Sequence, residues 1–394
     1  MTTQTKLMTA ADIRQAALTL GPEIKARATE IAQLRRLPAD LVEKLKHAGA
    51  FRMLMPRAWG GPEMSPREQN EVIEIYSRAD PSVGWCVMIG SDSGFFVGHH
   101  EEAAARELYP NLDVCVAGAA GVLGRAERVP GGFRVNGRFN FGSGVNHADI
   151  IIAICPVFEN GAPAKTGDVP QMRLVAAPAR QWEILDTWHT IGLAGSGSND
   201  YLAKDLFVPE HHTIDFGVNV VPRRPEPLYA WFPVFIANMH GVALGLARKC
   251  IDTVEQLAQT RRSPNPTRAN ESLAMKDVPR VRSAVARAEM LLGAARAYTY
   301  ESMDRLWEEL QSNREVSGPT RLAVALSRQY AARTARDIAQ LMFDTAGAGA
   351  IYTTLPLEQL VRDAYTMCMH WTAQERTLEM FGGVIFGEPP GPMI

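Results

Sequence analysis

The order in which helical and strand patterns follow one another constrains the fold of this chain more than any other feature. From about residue 10 to residue 108 apolar residues recur at helical spacing, and between 114 and 209 turn residues separate short alternating runs. Helical spacing returns after residue 227. This order predicts an α+β fold with an N-terminal α-helical domain (1–112), a central β domain (113–215) and a C-terminal four-helix bundle with a tail (226–394).

Local signals locate the predicted helices. Ser65 followed by Pro66 is typical of an N-cap with a first-turn proline. After the β region, alanine-rich segments joined by breaks favour an antiparallel bundle. Its four predicted helices cover residues 243–256, 279–309, 320–346 and 355–381. The polar segment 261–271 between the first two predicts an exposed, mobile loop.

The central region carries strand signals of two kinds. Residues 133–141 alternate apolar with polar side chains, as expected of a half-buried strand. Residues 149–154 contain a β-branched run, and Pro130-Gly131-Gly132 predicts a turn between two strands. We therefore expect a compact β domain.

Composition narrows the class of protein. A chain of 394 residues that is 46% hydrophobic can bury a large core, and a net charge of -2 argues against nucleic acid or an anionic membrane as the main partner. The five cysteines are widely spaced, which favours a reducing compartment. The first 14 residues are polar, and no run of about 18 apolar residues occurs. We expect a soluble, cytoplasmic protein without a membrane span.

Histidines are the most reactive side chains that the pattern singles out. His370 stands beside Trp371 in an apolar stretch, where it is either a buried structural residue or a proton donor or acceptor near neutral pH. His99 and His100 are interpreted as part of a surface helix start. Because adjacent helical side chains point apart, they predict no metal site.

The chain resembles the acyl-CoA dehydrogenase superfamily over nearly its full length. Each matching motif is weak alone, but their order and spacing are specific: Trp59-Gly60-Gly61, Asn136-Gly137, Phe141-Gly142-Ser143-Gly144, the segment 204–209 and Arg362-Asp363-Ala364. Within the superfamily it is most similar to the two-component, flavin-dependent (group D) aromatic monooxygenases. That likeness rests on Ser82-Val83-Gly84-Trp85 and on the segments 143–149, 191–199 and 386–391.

This resemblance implies an activity. The chain is expected to be the oxygenase component, taking reduced FMN or FAD from a separate flavin reductase and reacting with O2 as co-substrate. Through a C4a-hydroperoxyflavin it would hydroxylate a small aromatic or heteroaromatic substrate, either phenol-like or indole-like. A homo-oligomer, in particular a homotetramer, is implied as well.

The resemblance also implies roles for individual residues. Catalytic roles fall to His370 and Ser143. Flavin binding is expected of Phe141, Ser143, Gly144, Arg261, Arg262, Phe343, Gly347, Gly349 and Trp371. Substrate binding is expected of Trp85, Asp92, Ser93 and Gly118. For Ser143 the alternative is a simple turn residue, and for the two arginines it is a solvated basic turn.

Two departures from the family pattern bear on the reaction. Trp371 stands where the dehydrogenases have their catalytic glutamate, and residues 228–249 contain no carboxylate, so a dehydrogenase or flavin oxidase would need an unrecognised base. Ser93 replaces a histidine of the phenol hydroxylases, and the segment around Gly118 is small and apolar. Fewer polar anchors favour a bulkier or less acidic ring, such as an indole. A flavin-free binding or assembly subunit is the remaining alternative.

Overall fold

A computed structural model describes residues 7–216, 220–264, 272–313 and 315–391. Its first part is helical, as predicted. Ser65 forms a capping box, since its Oγ accepts a hydrogen bond from the backbone N–H of Glu68 while the Glu68 carboxylate accepts one from Ser65 N. The helices are α1 (Ala10–Ala26), α2 (Ala28–Leu34), α3 (Ala39–His47), α4 (Pro66–Ala79), α5 (Pro81–Gly90), α6 (Ser93–Val97) and α7 (Glu102–Leu108).

The central part forms a sheet with its own hydrophobic core. The predicted turn joins β2 to β3, and the predicted alternation holds along β3 as far as Phe139. The strands are β1 (Val116–Val122), β2 (Arg125–Val129), β3 (Gly132–Gly142), β4 (Ile150–Glu159), β5 (Ala162–Pro163), β6 (Lys165–Thr166), β7 (Val169–Pro170), β8 (Met172–Pro178), β9 (Glu183–Ile184), β10 (Asn199–Pro209) and β11 (Thr213–Asp215). The main sheet has the order β11-β8-β4-β2-β3-β10-β9, with β1 and β5 also paired to β4.

The chain then returns to long helices. These elements are α8 (His240–Thr260), β12 (Arg262–Pro264), β13 (Ser272–Ala274), α9 (Pro279–Asn313), α10 (Gly318–Ala346), α11 (Leu357–Cys368) and α12 (Arg376–Ile385). Helix α8 packs closely on α4 at Gly245, and this approach requires glycine. A Cβ at that position would lie 2.4 Å from the carbonyl oxygen of Glu74. Among the described residues, one helical stretch, Phe232–Thr260, is long and apolar enough to cross a membrane. In its most apolar part, 83% is buried inside the protein, as in a core helix.

The predicted helix over 355–381 is wrong, because the structure breaks it in the middle. Helix α11 ends at Cys368, a short 3-10 helix covers Trp371–Ala373, and α12 begins only at Arg376. His370 has an extended backbone with φ -60° and ψ 139°, and its ring caps the 3-10 helix by accepting from Thr372 N. The break turns the imidazole away from the helix surface.

Two smaller interpretations also need correction. His99 and His100 are 4% and 3% exposed and lie before α7, packed against aromatic rings such as Phe95 and Tyr109, so they are not at the surface. Within the predicted loop 261–271, Arg262–Pro264 is a strand paired with Ser272–Ala274. Residues 265–271 of that loop lie outside the described residues.

Candidate active site where the three parts of the fold meet

A glycine-rich loop of residues 191–199 connects the β domain to helices on both sides. A Cβ at Gly192 would lie 2.3 Å from the carbonyl oxygen of Arg362 on α11, and one at Gly195 would lie 2.2 Å from Ile31 on α2. Leu193 N donates to Asp363 Oδ1 over 2.6 Å. The loop is therefore held against two helical elements, and only glycine allows the close approach.

Three hydroxyl groups form a chain from this loop into the protein. Ser196 Oγ and Ser198 Oγ are 2.8 Å apart, and Ser198 Oγ lies 2.8 Å from Ser143 Oγ, just beyond β3. Trp85 Nε1 on α5 donates to Ser143 Oγ over 2.9 Å. Gly144 N also donates to Ser196 O over 3.0 Å. Ser143 therefore belongs to a buried polar network, and is more than a turn residue.

The imidazole of His370 extends this network. Its ring meets the Trp85 ring edge-on at 5.6 Å between centroids, and lies 5.8 Å from Trp371. Thr372 contacts Nδ1 with its backbone N–H at 3.4 Å and with its hydroxyl at 2.8 Å; we assign Nδ1 as the acceptor of the backbone N–H, which places the proton on Nε2. His370 therefore presents an N–H donor.

The protonation state of His370 follows from its surroundings. Burial lowers its pKa to about 4, and the positive charge of Arg328 acts in the same direction. Protein fills most of the volume around the imidazole ring, but part of the surface of His370 is exposed to solvent. At neutral pH the imidazole is thus uncharged and reachable.

Two aromatic side chains next to the hydroxyl chain are poorly covered. Phe141 is 63% exposed and has φ +61°, an uncommon backbone conformation for a residue other than glycine. Its ring meets the half-buried Trp188 edge-on at 6.4 Å, and Asn199 Oδ1 holds Trp188 by accepting from its backbone N–H over 2.8 Å. Open aromatic surface beside buried hydroxyls fits a flat ring with a polar edge, which is the chemistry of a flavin.

The predicted substrate residues separate into two groups. Gly118 pairs with Ser143 through an isolated β-bridge, next to the hydroxyl chain. Asp92 is buried, which raises the pKa of its carboxyl group well above the ordinary value, and it accepts from Asn238 Nδ2 over 3.1 Å. Ser93 is fully buried and its hydroxyl donates to Phe51 O over 3.3 Å. The structure thus gives Ser93 a structural partner, and its role in substrate binding stays a prediction.

A second cluster contains other residues that were predicted to bind the flavin. Arg261 ends α8, and its Nη1 would lie 2.4 Å from a Cβ at Gly349, so the two residues are in contact. Gly347 ends α10 with φ +68°, and Phe343 on the same helix is half-buried. Arg262 points elsewhere, donating to Ser272 Oγ over 2.8 Å. Of the two arginines, only Arg261 has no side-chain hydrogen bond to a described residue, so it is the one available for a ligand at this place.

Sequence reasoning missed several polar residues of the site. Ser196 and Ser198 lie in a segment that carried the family resemblance, but no role was assigned to them. Asn238 and Thr372 become recognisable only through their contacts with Asp92 and His370. Elsewhere, the side chains of Glu107, His211 and His212 lie within 4.8 Å of one another in a spacing that could hold a metal ion. Glu107 lies 3.3 and 3.2 Å from the two histidines, so ion pairing also explains the group.

Comparison with protein families agrees with this architecture. The acyl-CoA dehydrogenase N-terminal domain matches residues 8–108, and the acyl-CoA dehydrogenase C-terminal domain matches residues 238–375. A solved structure, XiaF from a Streptomyces species in complex with FADH2 and glycerol, superposes with a TM-score of 0.87 at 24% identity, over 97% of this chain and 96% of that one. The predicted superfamily fold is confirmed.

Relatives with named activities show which class of enzyme within this superfamily the chain is similar to. The chain is 34% identical to indole-3-acetate monooxygenase of Pseudomonas putida, over 95% of this chain and 94% of the relative. It is 28% identical to the flavin-dependent monooxygenase oxygenase subunit HsaA of Mycobacterium tuberculosis, over 94% of each chain. The chain belongs to the flavin-dependent monooxygenases of the acyl-CoA dehydrogenase superfamily, as predicted. An oxygenase component of this kind implies a separate reductase that supplies reduced flavin.

Proposed function

We propose that the protein hydroxylates an indole-like or other aromatic ring with reduced flavin and O2. The observation that carries the proposal is the continuous contact from the N–H donor of His370 through Trp85 to the hydroxyl chain at Ser143, beside open aromatic surface. When bound, reduced flavin would supply the two electrons that activate O2, so that one oxygen atom enters the substrate and the other leaves as water. The residues of the chain hold the flavin, exclude water and position protons.

His370 acts as a neutral hydrogen-bond donor. With its pKa lowered to about 4, it does not lose a proton between pH 6 and 8, and Nε2–H offers a fixed donor to an oxygen atom that gains negative charge. Thr372 fixes the ring through Nδ1. Ser143 supports the polar edge of the flavin ring, while the buried indole of Trp85 keeps water from this side.

The polar groups around Asn238 favour an indole-like ring as the substrate. Asn238 Oδ1 is buried and has no hydrogen-bond partner among the described residues, so it can accept from a ring N–H. Asp92 orients the Asn238 amide by accepting from its Nδ2. Gly118 lies beside Ser143 through an isolated β-bridge and must be glycine there, because a Cβ would lie 2.3 Å from Ile152 O. The activity named for the relative from Pseudomonas putida, on indole-3-acetate, supports the same ring class.

Exposed apolar side chains support the assembly of several copies of the chain, and the free cysteines support a reducing compartment. Large apolar side chains after α10 are open, including Ile351 at 66%, Met369 at 64% and Phe386 at 92% exposure. Such a surface supports a homotetramer, in which Arg261 and Gly349 reach the flavin phosphate of a neighbouring copy. The five cysteines are free and buried, in keeping with a reducing cytoplasm. Light scattering during size-exclusion chromatography tests the tetramer, and a monomer would contradict it.

The reaction is tested by stopped-flow absorbance. Protein with anaerobically reduced FMN or FAD is mixed with O2, with and without an indole substrate, and the product is identified by mass spectrometry. We expect an absorbance that belongs to neither reduced nor oxidised flavin and that lasts for seconds, followed by a hydroxylated ring. Immediate reoxidation without product, or bleaching of oxidised flavin by an acyl-CoA, would contradict the proposal.

A variant of His370 tests its role in the same assay. His370→Ala removes the N–H donor and should slow hydroxylation by about 100-fold, the usual size of a positioned proton donor's contribution. His47→Ala is the matched control, because His47 is an exposed histidine on α3. Equal rates in the two variants would remove His370 from the mechanism.

A further inference from the structure

Arg328 on α10 is a buried cation that has no counterion among the residues that the structure describes. Its residue surface is 5% exposed, and its one hydrogen bond among the described residues is a long one, from Nη1 to Ile236 O at 3.4 Å. Nε is buried and has no partner. Burial lowers the pKa of the guanidinium to about 10, so it stays charged at neutral pH. A buried charge that is left unpaired is costly.

Other buried arginines of the chain are paired, which makes Arg328 an exception. Arg52, with a side chain 6% exposed, forms an ion pair with Asp113. Arg248, with a side chain 16% exposed, pairs with Asp252 over 2.8 Å. Arg52 and Arg248 therefore have carboxylate partners, whereas Arg328 has none among the described residues.

The position of Arg328 is next to the reaction site. Its neighbours on α10 contact this region, since Ser327 Oγ lies 2.9 Å from His240 Nε2 and Gln329 Nε2 donates to Gln374 O, four residues beyond His370, over 3.1 Å. Its hydrogen-bond acceptor, Ile236, is two residues from Asn238, whose buried Oδ1 has no hydrogen-bond partner among the described residues. An unpaired cation on α10 and an unpartnered acceptor on the segment 236–238 thus lie at the contact between these two elements.

We propose that Arg328 binds a carboxylate on the side chain of the substrate, which makes the substrate an aromatic acid of the arylacetate class. The inference rests on the proposed function and specifies its substrate. A carboxylate would receive two N–H donors from the planar guanidinium and would neutralise its charge. The ring N–H would meanwhile donate to Asn238 Oδ1, so that two anchors orient the ring toward His370.

The test compares two ligands that differ in charge. Indole-3-acetate and the neutral indole-3-acetamide are titrated anaerobically into the protein with reduced flavin, and binding is measured by calorimetry. We expect the wild-type protein to bind the acid more tightly by about 10- to 100-fold, the range for a hydrogen-bonded charge pair. This comparison needs no variant and therefore does not depend on how a substitution affects folding.

Variants then assign the preference to the residue. Arg328→Gln should remove the preference for the acid and leave amide binding within about 3-fold, while Arg328→Lys should keep part of it. Arg333→Gln is the matched control on the same helix, since Arg333 pairs with Glu375 over 3.0 Å. Its preference should equal that of the wild type.

Distinct results separate this inference from the proposed function. Equal binding of acid and amide by the wild type, or a preference that survives Arg328→Gln, would overturn the carboxylate site even if hydroxylation is observed. Arg328→Gln that slows the reaction of both ligands equally would assign Arg328 to the protonation state of His370 instead. Preferential binding of the acid without hydroxylation of any aromatic ring would retain the carboxylate site and refute the proposed function.

Discussion

The buried carboxyl group of Asp363 makes a sharp prediction about pH and stability. Asp363 Oδ1 accepts hydrogen bonds from Leu193 N over 2.6 Å and from Gln359 Nε2 over 2.7 Å. Burial raises its pKa from 3.8 to about 6 in spite of these donors, and the charge of Asp80 contributes in the same direction. Ionisation of Asp363 therefore weakens the fold at the point where α11 holds the glycine-rich loop.

The magnitude follows from linkage between protonation and folding. Since the pKa in the folded state exceeds that of the unfolded chain, the native state binds more protons between these values. The contribution of Asp363 to stability is fully present below about pH 3.8 and is lost as pH rises through about 6. At 1.36 kcal/mol per pH unit, the whole change is about 3 kcal/mol, of which about 2 kcal/mol falls between pH 4.5 and 8.

The assay is urea unfolding followed by tryptophan fluorescence at several pH values. Asp363→Asn keeps an oxygen acceptor but does not ionise in this range. The free energy of unfolding of the wild type, relative to this variant, should fall by about 2 kcal/mol from pH 4.5 to pH 8. Asp363→Ala should be less stable than Asp363→Asn by about 1–3 kcal/mol at every pH, because the buried N–H of Leu193 loses its acceptor.

An exposed carboxylate provides the control. Hydrogen bonding by Arg27 lowers the pKa of Asp40 to about 2, so the contribution of Asp40 is present above about pH 3.8 and is lost only in more acidic solution. The difference between wild type and Asp40→Asn should accordingly be flat between pH 4.5 and 8. A similarly flat difference for Asp363→Asn would refute the reasoning about burial.

Three further variants probe the flavin site. Ser143→Ala removes the acceptor of the Trp85 indole N–H and a link of the hydroxyl chain; we expect the yield of hydroxylated product per flavin oxidised to fall by about 10-fold, measured against peroxide release. Arg261→Gln should weaken flavin binding by about 10-fold, whereas Arg262→Gln should change it little because that side chain is bonded to Ser272. Equal effects of the two arginine variants in a fluorescence titration would contradict this assignment.

The sequence predicted the fold better than the active site. The change of hydrophobic period, the Ser65 cap and the turn before Gly132 are local signals, and each element appeared where it was expected. The failure at residues 355–381 has a clear cause. Helical periodicity continues through His370, but packing of its ring against Trp85 and its cap on Thr372 favour an extended backbone at that residue.

The residues of the candidate site also differ in whether the sequence could identify them. His370, Ser143 and Trp85 could be singled out because family motifs place them, and the structure brings them together. Arg328 could not be singled out, since an arginine in an amphipathic helix is normally a surface residue. Its isolation from carboxylates exists only once α10 has packed against the segment around Ile236.

Patterns along the chain were enough to establish the order of the elements, the family and the residue types that oxygen chemistry requires. The folded arrangement was needed to show which of these residues meet, which of the described polar atoms lack partners and why the His370 imidazole is uncharged at neutral pH. The physical reason is that periodicity and capping depend on neighbours along the chain. Burial and hydrogen bonding depend instead on groups that are distant in sequence, such as Asp363 and Leu193, which become neighbours only in the folded protein.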